Sequence, residues 1–225
     1  MQHWLNLGFR HAESGIMVEL HWRLSHNPHL PVPLPPPHAW ESVALAPGQT
    51  VRTLPQPLRL AYLCHHGAQH SWQRFKWVAD IAALLAQGDA AHLDELLRTA
   101  DRDGTWRPVG QALLLAVDLL ALDLPAWIGD RVRGDPAVRW LADNAVLVMM
   151  ADARRSTSAT RRIHLSHYLL RQNWRYLLAE LRSDLFCLDD LTAVPLPGWL
   201  DILYPLLRLP LWGIRSLRAA LRKDR

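Results

Sequence analysis

Cysteine is almost missing from this 225-residue chain: Cys64 and Cys187 are its two thiols, each inside a largely apolar helical pattern. Two distant thiols make no disulfide framework, and no CxxC pair offers a metal site, so buried reduced thiols are expected. Lysine is as scarce. Of 25 basic residues all but Lys76 and Lys223 are arginine. That skew reads first as compositional bias, and the net charge of +4 with a pI near 9.5 fits only weak attraction to phosphates. Long uncharged apolar runs are lacking too. The best windows, residues 109–122 and 202–214, are interrupted by Asp118 and Arg208, short of the ~18–20 apolar residues a bilayer span needs. The first 15 residues show no basic stretch followed by an apolar run, so no signal peptide is visible, and a soluble cytoplasmic protein is expected. GxGxxG, GxxxxGK[ST] and GxSxG are also absent, which excludes the recognisable dinucleotide, P-loop and hydrolase signatures.

What is present is a folded composition, 50% hydrophobic and 20% charged, long enough for one good core or one domain plus a fragment of another. Polar chemistry concentrates in residues 62–85, YLCHHGAQHSWQRFKWVADIAALL. This stretch gathers His65, His66, His70, Trp72, Trp77, Lys76 and Asp80 amid a chain of leucine, alanine, arginine and proline.

Ahead of it, residues 2–9 alternate loosely, 11–15 (HAESG) have turn composition, and 16–24 (IMVELHWRL) alternate strictly. Period two sets Ile16, Val18, Leu20, Trp22 and Leu24 against Met17, Glu19, His21 and Arg23, with same-face neighbours only ~7 Å apart. Residues 25–39 carry six prolines and read as an extended connection. Short strands are expected at 42–45 and 50–52, flanking Pro47-Gly48. From Pro55 the pattern is helical: 58–69; 72–86 with Ser71 as N-cap and Gly88 as stop; 91–100; a central, almost all-round apolar helix at 108–122; one starting at Asp135-Pro136 and running to about 153; and a long one at 161–185. Pro195, Pro197 and Gly198 precede a terminal arm at 199–222. Its basic residues interleave with Leu and Trp, best read as a bundle-closing helix with snorkelling arginines.

Several constellations carry chemistry. His66 and His70 stand at i and i+4 and could share a metal ion, but Gly67 occupies the place where zinc hydrolases put a glutamate, so local packing is the stronger expectation. Lys76 and Asp80, also i and i+4, read as a surface ion pair or as a phosphate-facing cation with its neighbour. Glu19, on a strand beside His21 and Arg23, suits a metal ligand or general base. A magnesium-dependent transfer needs two or three converging carboxylates. Asp101 and Asp103 sit at a helix end in an Arg-rich turn, and the adjacent Asp189 and Asp190 do not share a direction, so neither pair fits as Glu19's partner.

VELHWRL at 18–24, LPQPLRLAYLCHHGAQHSWQRFKWVADIAALL at 54–85 and PLPGWLDILYPLLRLPL at 195–211 together resemble a bacterial family of uncharacterised nucleotidyltransferases, a branch of the polymerase-beta-like superfamily. The resemblance implies a small mixed sheet in which a Gly-Ser turn holds nucleotide phosphates and a strand-borne Asp-x-Asp pair binds magnesium. Glu19 matches a third carboxylate on a later strand, and the helical stretch with His66, His70, Lys76 and Asp80 matches a second signature expected to line the substrate side of the cleft. No Gly-Ser turn or strand-borne Asp-x-Asp precedes Glu19 here, so the chain is expected to represent the C-terminal portion of a longer protein.

The fold expected is mainly α, a helical bundle at 54–225 preceded at 1–53 by a small β remnant of a nucleotidyltransferase-type mixed sheet with its proline-rich connection. The activity implied is transfer of a nucleoside monophosphate from a nucleoside triphosphate to an unknown acceptor, dormant unless a partner protein supplies the missing half. Glu19 would be the catalytic and metal-ligating residue. His21, Arg23, His66, His70, Lys76 and Asp80 are substrate- or phosphate-side candidates, and Mg2+ is a cofactor only if that half is supplied. Nucleic acid is not an expected partner. The alternative is a non-catalytic helical binding or regulatory module.

Overall fold

The computed structural model describes residues 6–25, 27–30, 34–88, 90–151 and 157–185, with single positions between 194 and 210. Two antiparallel hairpins come first: β1 (Asn6–Arg10) with β2 (Met17–His21), then β3 (Glu41–Ala46) with β4 (Gln49–Thr53). Among the described residues eight α-helices follow: α1 (Gln56–Gln69), α2 (Phe75–Gln87), α3 (Ala90–Asp103), α4 (Trp106–Leu120), α5 (Ala126–Gly134), α6 (Pro136–Met150), α7 (Thr157–His167) and α8 (Trp174–Leu185). The chain is mainly α with a small β portion, as its periodicities imply.

The bundle is organised on α4. Pro108 to Ala116 are all buried, because α1, α2, α3, α5 and α6 pack around that helix. Leu113 and Leu115 lie in the core with Leu60, Ile81, Leu96, Ile128 and Val138. Gly110 is required where it stands: a Cβ there would sit 3.1 Å from Val138 and 3.2 Å from the Trp106 ring, the close approach that lets α6 cross α4. Asp135 caps α6 by accepting from the backbone N–H of Ala137 (2.8 Å) and Val138 (3.3 Å). Its other carboxylate oxygen accepts from Trp106 Nε1 (3.1 Å). Arg131 lies 3.7 Å over the Trp106 ring and pairs with Asp101, while Asp103 pairs with Arg102. The Asp101/Asp103 pair is thereby committed to arginines at the end of α3, remote in role from Glu19.

Three sequence expectations need correction. The helix expected at 161–185 is two helices, α7 and α8. Asn173 accepts from the backbone N–H of Arg175 (2.9 Å) and Tyr176 (3.2 Å) and starts α8 afresh. Nothing in residues 161–185 forbids a continuous helix locally; the Arg107 guanidinium bound to the Leu169 carbonyl (2.9 Å) holds the break from outside. A helix at 126–134, α5, was not expected at all. The third correction concerns Ser71, which does not cap α2. Both Ser71 and Trp72 have left-handed backbone (φ 45° and 51°), and α2 starts only at Phe75.

That junction is a Schellman motif. The N–H of Ser71 reaches the Ala68 carbonyl (3.0 Å) and that of Trp72 reaches the Gly67 carbonyl (2.8 Å). Glycine usually takes the left-handed place. Here two side chains hold it instead: Ser71 Oγ bonds Ser166 Oγ at 2.7 Å, and Trp72 is fully buried with its indole against Gly67. A Cβ at Gly67 would fall 2.6 Å from that ring. Left-handed conformation costs roughly 1–2 kcal/mol per non-glycine residue, which the burial of a whole indole offsets.

The proline-rich arm is docked rather than free. Leu30 is buried with Ala68, Leu141, Leu170 and Tyr176, and Asn27 donates to the Tyr176 carbonyl (3.0 Å) and to Glu180 (2.8 Å). Glu41 on β3 closes the other end by accepting from the Gln56 backbone N–H (2.9 Å) in the first turn of α1. These anchors hold both hairpins to the helices.

Candidate functional site

Strand register fixes how the first hairpin presents itself. Leu7 opposes Leu20 and Phe9 opposes Val18, so these four share one face; Gly8 opposes Glu19 and Asn6 opposes His21 on the other. The polar face is the one in electrostatic contact with the helices. Glu19 Oε2 accepts from His21 Nε2 at 3.1 Å, and its charge is felt by Tyr62, His66 and His70. The apolar face is open: Leu7, Phe9, Val18 and Leu20 are each 51–60% exposed. The hairpin is inside out relative to an ordinary amphipathic pair, which buries its apolar side.

Opposite Glu19, the last turns of α1 and the first of α2 form a wall of rings. His66 and His70 lie one above the other on α1 with ring centroids 4.6 Å apart. Trp77 reaches back from α2 to within 5.2 Å of His66 and 5.6 Å of His70, and Tyr62 is 5.8 Å from His66. The Schellman turn creates this meeting, since Trp72 in the Gly67 notch sets the direction in which α2 leaves α1. Arg74 lies 5.9 Å from the Trp77 ring.

The electrostatics follow from burial and crowding. Burial, then the neighbouring imidazoles of His70 and His21, push His66 down to about 4, with Glu19 pulling weakly the other way. Burial, His167 and Arg74 lower His70 as well. Both rings are therefore neutral near pH 7, each offering one N–H donor and one lone-pair acceptor. Burial and the Glu19 charge raise Tyr62, which stays a phenol.

The structure thus brings Glu19, His21, His66 and His70 into one neighbourhood. Arg23 lies past the end of β2, exposed. Lys76 and Asp80 are both exposed on α2 and no ion pair joins them, so the i, i+4 bridge does not form. Sequence reasoning missed His167, whose Nε2 donates to the Gln69 carbonyl at 2.6 Å and whose charge reaches His70. No local signal marks it, because 98 residues separate it from Gln69. Arg74 was missed too, although its place between Trp72 and Trp77, two residues before Lys76, is visible in sequence.

The donor set tests the implied magnesium. Mg2+ demands near-octahedral oxygen ligands. Here one carboxylate stands among imidazoles, and among the described residues no group of three His, Cys, Asp or Glu is placed to hold a metal ion. These residues alone do not fit it.

A mainly helical protein with a strand-borne glutamate facing a helical imidazole–tryptophan wall is the class that fold and site define. The sequence matches the family described as "Uncharacterised nucleotidyltransferase" over residues 3–121, just over half of the chain, from β1 through the end of α4. The chain belongs to that family. Residues 122–225, including His167 and the 195–211 stretch, lie outside the match. No curated protein and no solved structure matches the chain. Among the described residues no helix is long and apolar enough to cross a membrane.

Proposed function

We propose that the chain contributes the acceptor side of a nucleotidyltransferase, and that its transfer reaction depends on carboxylates supplied by another polypeptide segment or a partner protein. In that reaction an acceptor hydroxyl attacks the α-phosphorus of a nucleoside triphosphate and pyrophosphate leaves. Glu19, in the place of the family's third carboxylate, orients the attacking hydroxyl. Arg23 and Lys76, both exposed, neutralise phosphate charge in this reading as it shifts toward the leaving group. The observation that carries this reading is the inverted hairpin. The charge of its glutamate reaches the helical wall while its apolar face is exposed and, among the described residues, no further strand pairs with either edge, as expected of a sheet fragment that further strands complete. The nucleoside triphosphate and the family's magnesium enter only with that complement, and a cytoplasmic setting is part of the proposal.

The competing reading, a non-catalytic helical binding or regulatory module, draws on the lone carboxylate at the site. Complementation separates the two. The chain is co-expressed with the Gly-Ser/Asp-x-Asp segment of a family member that contains it, and transfer from α-labelled nucleoside triphosphates is measured. Transfer that disappears in Glu19→Ala supports the enzyme. A stable co-purifying pair with no Glu19-dependent transfer supports the binding module.

A further inference from the structure

The family assignment says nothing of the acceptor, but the wall facing Glu19 restricts what can sit there. Four rings, Tyr62, His66, His70 and Trp77, form a continuous patch in which none of the four contacting pairs is parallel: interplanar angles run from 40° to 79°. Parallel stacking is thus left for a ligand. His70 is exposed, and His66, Tyr62 and Trp77 are half-buried, so the patch meets solvent on one side while Trp77 packs against the core on the other. Its rim is cationic. α1 carries no acid and α2 carries one, Asp80, against Arg74 beside Trp77 and Lys76 next to it, both exposed. The carboxylate whose charge reaches both histidines, Glu19, is engaged by His21.

Those features sort acceptor classes. A polyamine or other polycation needs several carboxylates, and this wall presents a surplus of positive charge. A flexible aliphatic alcohol makes no use of four rings. A planar heterocycle with an attached hydroxyl and an anionic group uses everything present. Its ring stacks on the indole or an imidazole, its polar edge meets imidazoles that both donate and accept, and its anion faces Arg74 and Lys76.

We infer that the Tyr62–His66–His70–Trp77 wall is the acceptor subsite, and that the acceptor is a nucleotide-like molecule: a flat base, a sugar hydroxyl directed at Glu19, and a phosphate at the Arg74–Lys76 rim. The inference rests on the nucleotidyltransferase reading for the word acceptor, but the binding it describes needs neither catalysis nor the complementing segment. In the balanced step, the sugar O–H passes its proton to solvent water as its oxygen bonds to the α-phosphorus, the bond to pyrophosphate breaks, and the pyrophosphate departs with the electron pair.

The test uses the full chain with AMP as probe, adenosine as its uncharged counterpart and spermidine as a polycation. Binding is followed by calorimetry and by the histidine Cε1–H resonances. Saturable AMP binding that shifts His66 and His70, exceeds that of adenosine, and weakens about tenfold or more in Trp77→Leu is the expected result. Should Trp77→Leu fail to fold by circular dichroism, the exposed His70→Gln and the rim variant Arg74→Ala carry the same comparison. AMP that leaves both histidines unshifted, an affinity unchanged by these variants, or a preference for spermidine would overturn the inference. Failure of the parent reading looks different: AMP then occupies the wall while complementation yields no Glu19-dependent transfer.

Discussion

Two parts of this molecule are equally rich in large apolar residues and use them in opposite ways. Along α4 every residue from Pro108 to Ala116 is buried, and the helix is the axis on which five others pack. On the β1–β2 hairpin every residue of β2 is exposed, Val18 and Leu20 included. Hydrophobicity alone does not separate the two; what differs is the partner. A helix apolar all round collects neighbours on every side within its own chain. A two-stranded sheet has one apolar face, and here both faces of β2 stand exposed, with the Glu19 charge on the polar one felt by His66 and His70. Burial is thus forgone along β2, where α4 gains it on every side.

The sharpest way to break that comparison is at the turn joining core and site. Trp72 is fully buried, so Trp72→Ala should cost about 3–5 kcal/mol in urea denaturation. Gly67→Ala, which drives a methyl to within 2.6 Å of the same ring, should cost roughly 2–3 kcal/mol. The diagnostic point is that a single methyl on an apolar helix face harms the fold nearly as much as loss of the indole. A Gly67→Ala protein within about 0.5 kcal/mol of wild type would mean that Trp72 is not seated as described.

Next in size is the direct contrast. Leu113→Ala on α4 should cost about 2–5 kcal/mol, whereas Leu20→Ala on the open hairpin face should change stability by less than ~0.5 kcal/mol. On the proposal above, Leu20→Ala should instead reduce complementation by the co-expressed segment. If Leu20→Ala destabilised the isolated chain as much as Leu113→Ala, the open face would already be covered in solution and the inside-out description would be wrong.

Much of this was legible in the sequence, and the rest has a physical reason for being hidden. Strict alternation at 16–24 placed Glu19 and His21 on one face, where their 3.1 Å bond now lies. The i, i+4 spacing placed His66 beside His70, and all-round apolarity marked α4 as central. What was hidden depended on distant contacts. Ser71 looks like an N-cap because serine usually is one; its left-handed backbone is held by Ser166, 95 residues away, and by the slot at Gly67. The break between α7 and α8 is held by Arg107, 62 residues from Leu169. The docking of the proline-rich arm through Asn27 and Leu30 is likewise encoded by no periodicity.

A smaller effect belongs to the clasp at the far end of α4. Asp135→Ala removes the cap of α6 and the acceptor for Trp106 Nε1 together, and should lower stability by about 1–2 kcal/mol. Asp135→Asn keeps an oxygen for the cap and should recover most of it, which thermal melts can resolve. Equal losses in both variants would assign the effect to the negative charge rather than to the hydrogen bonds.

The smallest expected effect is the one closest to the site. His66 titrates at about 4 in the folded chain against 6.5 when unfolded, so the unfolded form takes up the proton more readily. Its neutral state therefore contributes stability that is complete above about 6.5 and is lost as pH falls from there through about 4. The groups facing it set that direction: burial, His70 and His21 disfavour the imidazolium, and Glu19 alone favours it. His66→Gln should flatten the acid limb of stability measured from pH 7 down to about 4.5, with little change at pH 7. Glu19→Gln should steepen that limb, because it removes the one charge that eases protonation. A His66 resonance titrating near 6.5, or an acid limb indifferent to both substitutions, would separate the glutamate from the wall and return the hairpin to an ordinary exposed ribbon.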